Sequence, residues 1–101
     1  MATVQELIVD AIQKRLIVTA MYQDYERIMC PHVIGYKKGI LNAFFFQFAG
    51  GSKSGLAPGG QWRCIHVDDL TQVSCSQGEW HTKEDYAPSS CTDDIIATVS
   101  L

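Results

Sequence analysis

Between residues 16 and 76 the sequence repeats one pattern five times: a short run rich in β-branched and aromatic residues, closed off by turn-forming residues. Runs of this length and composition, bounded in this way, specify strands rather than helices. The expected strands cover residues 16–22, 27–36, 40–49, 61–66 and 71–76. Gln23-Asp24-Tyr25-Glu26 supplies the first turn and Lys37-Lys38-Gly39 the second, so the first three strands form a meander. Residues 50–60 hold five glycines and one proline, too many for a helix or a central strand, and are expected to form an exposed loop. Val67-Asp68-Asp69-Leu70 reads as a single helical turn before the fifth strand.

Ahead of the strands, Val4, Leu7, Ile8, Ala11 and Ile12 recur at the spacing of one helix face. Thr3 with Glu6 three residues on forms a capping-box pattern, which predicts a helix over residues 3–14 lying against an open end or side of the sheet. Five short strands behind one helix favour a small, closed or partly closed barrel, because closure removes sheet edges. The chain is accordingly expected to be mainly β and a single domain over residues 1–101, with the helix at about 3–14, the barrel at about 16–77 and a tail at 78–101. In the tail, Thr92-Asp93-Asp94 caps a short helix on one reading, while the β-branched Ile95, Ile96 and Val99 argue equally for a strand.

The composition, 47% hydrophobic and 19% charged, is that of a globular protein. A net charge of −3 gives no global positive field to draw the chain onto nucleic acid, so any such role needs a local cationic patch. Lys37, Lys38, Lys53 and Arg63 are the candidates for one, while acidic residues load the C-terminal half. The N-terminus does not read as a secretory signal, and no apolar run reaches the length of a membrane span, so a soluble cytoplasmic protein without membrane contact is expected. Cys30, Cys64, Cys75 and Cys91 stand far apart with no Cys-x-x-Cys pair, and neither they nor His32, His66 and His81 give a metal signal. In a reducing compartment the cysteines read as small unpaired residues, and no cofactor is expected.

The residues with binding chemistry lie between positions 27 and 63. Arg27 and Arg63 fall on expected strands; sharing a face, they would clamp a phosphate or carboxylate, and otherwise they pair with Glu26, Asp68 or Asp69 on a solvated surface. Ser52, Lys53 and Ser54 sit among glycines whose unhindered N–H groups suit an anion, though the order is not that of a P-loop and a plain hairpin loop fits as well. Strand alternation sends Phe44, Phe46 and Phe48 to one face, read as core, and Phe45 to the other. There Phe45, with Gln47 beside it, either stacks a nucleobase on the outer surface or packs under the helix. His32 reads by itself as a hydrogen-bonded structural group, and no nucleophile–base set emerges, so the chain is expected not to be an enzyme.

In order along the chain come a helix ending in Gln13-Lys14-Arg15, an Arg-x-x-x-Pro-His-x-x-Gly segment at residues 27–35, an aromatic strand, a Gly-Ser loop, and Trp62-Arg63 before Val67-Asp68-Asp69-Leu70. This order resembles the WYL domain family, small barrels related to the Sm and SH3-like folds that occur in bacterial regulators. The resemblance spans residues 7–73 and implies a five-stranded SH3/Sm-like barrel. The family's Trp-Tyr-Leu tripeptide falls near residues 43–46, where this chain keeps aromatic character but not the letters, and Cys30 stands where an acidic residue is usual. Family members join the barrel to a helix-turn-helix domain and sense a ligand such as a nucleotide or nucleic-acid fragment. This chain has no room for that domain and looks like a stand-alone sensor barrel. The resemblance therefore implies a non-enzymatic regulatory domain that binds an anionic small molecule or single-stranded nucleic acid through Arg27, His32, Gln47, Ser52, Lys53, Ser54 and Arg63. Sm-like strand pairing into a homodimer or larger homo-oligomer is the alternative.

Overall fold

The computed structural model describes residues 3–51, 59–82 and 92–99. Helix α1 spans Val4–Lys14, and the predicted capping box is present: the Glu6 N–H donates to the Thr3 hydroxyl and the Thr3 N–H donates to the Glu6 carboxylate, both at 3.1 Å. Arg15 ends the helix in the left-handed region at φ 55°, its N–H turned back to the Ala11 carbonyl. The helix buries Ile8, Ala11 and Ile12 against the sheet.

Among the described residues six strands follow in one antiparallel sheet: β1 Ile17–Tyr22, β2 Tyr25–Lys37, β3 Ile40–Gly50, β4 Gln61–His66, β5 Thr71–Ser76 and β6 Asp94–Thr98. A 3₁₀ turn at Val67–Asp69 links β4 to β5. Two-residue turns with both central residues at positive φ, Gln23 and Asp24 at 52° and 66° and Lys38 and Gly39 at 51° and 78°, close the first two hairpins. That backbone matches the right-handed twist of the flanking strands.

The order β4-β3-β2-β1-β5 leaves β4 and β5 as the two ends of the path, with no pairing between them. The sheet thus departs from the expected five-stranded closure, and the expected tail supplies a sixth strand that pairs with β2. Strand β2 is long enough to serve two partners on one side: its first half pairs with β1 and its second half, from Val33 to Tyr36, with β6. Gly35 makes the second pairing possible, because a Cβ at that position would overlap the Asp94 carbonyl and the Ile95 Cα.

Directly opposed residues share a face of the sheet, so pairings with core residues identify the inner face. Val18, Ala20, Met29, Ile34, Ala43, Phe45 and Ile65 form one buried cluster with the helix residues. Phe45 is 0% exposed within it, which overturns the reading of this ring as an outer base-stacking surface. The opposite face carries Phe44, Phe46 and Trp62, with Phe44 and Trp62 stacked at 4.8 Å. Phe48 lies at a bulge between the Gln47–Met29 and Ala49–Ile28 pairs and keeps to this face: its ring stacks on His81 at 4.1 Å, and the His81 N–H donates to the sulfur of Cys30, the partner of Phe46.

Cys30 and Cys75 carry free thiols, but Cys64 is disulfide-bonded, contrary to the expectation of unpaired cysteines. Sequence spacing does not report the distance between thiols, and that distance decides pairing.

Candidate functional site

Register places three of the singled-out residues on the helix-covered face. Arg27 opposes Ala20, Gln47 opposes Met29 and Arg63 opposes Phe45, and each of those partners belongs to the main core cluster. The three side chains therefore stand on the inner face of adjacent strands, at the end of the sheet where β3 leaves for residues 51–60.

Arg27 is 2% exposed. Its Nε donates to the Tyr22 carbonyl at 3.3 Å, Nη1 donates to Gln47 Oε1 at 3.3 Å, and the guanidinium lies 4.8 Å from the centre of the Tyr22 ring. Every one of these partners is neutral. No carboxylate among the described residues lies against it. Burial pushes its pKa down, the positive charge of Arg63 adds to that effect, and the phenols of Tyr22 and Tyr25 oppose it. The two cations are thus near enough to repel each other, with Arg63 the more exposed of the pair.

Gln47 is 0% exposed and uses its whole carboxamide. The oxygen accepts from Arg27, while Nε2 donates to the carbonyls of Ala49 and Gly51, both at 3.0 Å. Gly51 donates in turn to the Glu26 carbonyl at 2.9 Å. Gly50 sits at φ 86° directly against β2, where any side chain would overlap the Glu26 carbonyl, so the chain turns out of β3 immediately beside Arg27.

His32 belongs elsewhere. It occupies a bulge of β2 and packs on the opposite face, 4.7 Å from the Trp62 ring and 4.4 Å from Trp80. Its Nδ1 bonds the Cys30 carbonyl at 2.8 Å and Nε2 bonds the Thr82 hydroxyl at 2.9 Å. Ser52, Lys53 and Ser54 lie outside the described residues. Lys37 and Lys38 sit at the β2–β3 turn, the far end of β2 from Arg27, and do not add to its charge.

Tyr22 is the contact that the sequence alone did not single out. The two-residue turn at Gln23 and Asp24 pairs Tyr22 with Tyr25 and Ala20 with Arg27, so Tyr22 is the diagonal neighbour of Arg27 on one face. Knowledge of that turn type would have been sufficient to find it. On the far side of Tyr22 a polar cleft of about 350 Å³ opens between the β1–β2 turn and the start of β5, with Asp24, Asp69 and Gln72 on its walls. Its two carboxylates make it unsuited to an anion, so the cleft and the cationic face are chemically distinct places that share one tyrosine.

No family model, curated protein or solved structure matches this chain.

Proposed function

We propose that this chain is a non-enzymatic WYL-like regulatory domain of the small SH3/Sm-like barrel type that binds the phosphate of a nucleotide or of single-stranded nucleic acid. The observation that carries the reading is Arg27, a nearly fully buried guanidinium whose described partners are all neutral, set close to a second arginine on the same face. A buried charge is expensive unless an opposite charge offsets it, and a ligand phosphate is such a charge. Arg63, half-exposed on β4, is the group that meets the ligand, and Arg27 behind it deepens the positive potential. The small-barrel reading draws support from a strand path whose two ends, β4 and β5, are joined by a single 3₁₀ turn.

The buried groups with nucleophile or base chemistry, Cys30 and His32 on the opposite face of the sheet, argue against catalysis. Burial pushes the Cys30 thiol up to about 11 and holds the His32 imidazole down to about 4, and both side chains are fully enclosed.

Arg63→Ala is expected to weaken binding of mononucleotides or short single-stranded oligonucleotides about tenfold or more, with the melting temperature within a few degrees of wild type. Because Trp62 stands on the opposite face of the sheet, the anisotropy of a fluorescently labelled nucleotide or oligonucleotide supplies the signal for the titration. Equal affinity in the variant and the parent would overturn the proposal, and the comparison of mononucleotide with oligonucleotide separates the two sources of phosphate.

One observation favours assembly as a second reading. Strand β6 pairs with β2 alone among the described strands and carries Ile95 and Ile96 at 49% and 40% exposure, an apolar edge suited to strand pairing with another copy. Light scattering at tens of micromolar protein decides it: a dimer mass supports this reading and a monomer mass removes it.

A further inference from the structure

We infer that Gln47 is the positioning residue of the cationic face: a neutral amide that aims Arg27 and fastens the stem of the glycine-rich segment while leaving the guanidinium charge for a ligand. This rests on the anion-binding reading above and adds to it the reason that the charge stays uncompensated. The usual buried partner of an arginine is a carboxylate, which accepts two parallel hydrogen bonds and neutralises it. Glutamate is isosteric with glutamine, and the site holds the amide instead.

The hydrogen bonds fix which way the amide points. Its NH₂ faces two carbonyls, Ala49 and Gly51, each at 3.0 Å, and its oxygen faces Arg27 Nη1 at 3.3 Å. The flipped amide would set NH₂ against a cation and oxygen against two carbonyl oxygens, three unfavourable contacts where the observed orientation has three hydrogen bonds. Gln47 is 0% exposed, so no water stands in for any of these partners at the surface. One side chain thus links the charge on β2, the end of β3 and the first residue beyond it. Gln47 also opposes Gln61, the first residue of β4, in the backbone register. The role differs from ligand contact: with its hydrogen-bonding groups engaged by protein, Gln47 acts through Arg27.

Gln47→Glu is the test, because it keeps size and shape and supplies the missing carboxylate. With a short single-stranded oligothymidylate as probe, Gln47→Glu is expected to bind at least tenfold more weakly than wild type, and the slope of log affinity against log salt concentration is expected to shrink by about one phosphate contact. Gln47→Met, which removes the amide without adding charge, is expected to lose less affinity and to keep the wild-type slope. A folded Gln47→Glu protein with wild-type affinity and slope overturns the inference, as does an equal loss in both variants with both slopes unchanged, which marks Gln47 as packing alone. Should Gln47→Glu not fold, Arg27→Met carries the test: a slope smaller by about one supports the inference and an unchanged slope overturns it. Failure of the wild-type protein to bind the probe is a different result, which removes the anion-binding reading itself.

Discussion

Replacing Phe45 by alanine is expected to lower folding stability by about 3–5 kcal/mol, the range for an aromatic ring removed from a closed core. Phe45 is 0% exposed and lies at the centre of the cluster that joins α1 to β1 through β4. Its strand neighbours Pro31 and Arg63 are backbone-paired to it and cannot move in to fill the space without breaking the ladder. The cavity therefore persists, and its cost adds to the lost burial of the ring. Urea unfolding measures the change. A domain of this size has about 5–15 kcal/mol to lose, so a large part of its stability depends on this one side chain. A loss below about 1 kcal/mol would return Phe45 to the surface position that its place in the alternating run also permitted.

Mild acid is expected to remove about 3 kcal/mol through His32 alone. Burial holds its pKa at about 4, below its usual 6.5, with the hydrogen bond to the Cys30 carbonyl opposing the shift. The unfolded chain therefore takes up the proton first as the pH falls. The stability contributed by the neutral imidazole is complete above about pH 6.5, declines from there to about pH 4, and is gone below that. The imidazole is 0% exposed between Trp62 and Trp80, so solvent does little to screen the effect. Melting temperatures of wild type and His32→Gln between pH 7 and pH 4.5 check it. Glutamine retains polar groups for Cys30 and Thr82 but does not titrate in this range, so the wild-type curve should fall away from the variant's as the pH drops. Parallel curves would place the acid sensitivity in the carboxylates instead.

The two predictions concern opposite faces of one sheet, and that division was only half legible in the sequence. Alternation assigned Phe44 and Phe46 to one side and Phe45 to the other, because strand geometry has a period of two and every residue obeys it. It did not say what would cover either side. The helix buries the Phe45 face, and Trp62, Trp80 and His32 close the other, so both are interior. Alternation holds through Phe48, whose ring stacks on His81 beside Cys30, the partner of Phe46, and the extra residue in β3 breaks the count only beyond it, at Ala49. By the same period of two, His32 finished away from Arg27, because an odd number of steps along β2 separates them.

The capping box, the Lys38-Gly39 turn and the bounds of β4 and β5 were determined by the sequence alone, since each depends on a few neighbouring residues and on backbone preferences that act locally, whereas the first turn, expected over residues 23–26, narrows to Gln23 and Asp24 with Tyr25 and Glu26 already in β2. The sixth strand depended on the tertiary structure, because β6 exists only where Gly35 lets it approach β2. So did the meeting of Arg27, Gln47 and Arg63. Their common face is set by which residue stands opposite which across three strands, and a shift of one position in any pairing would send a charge to the other side.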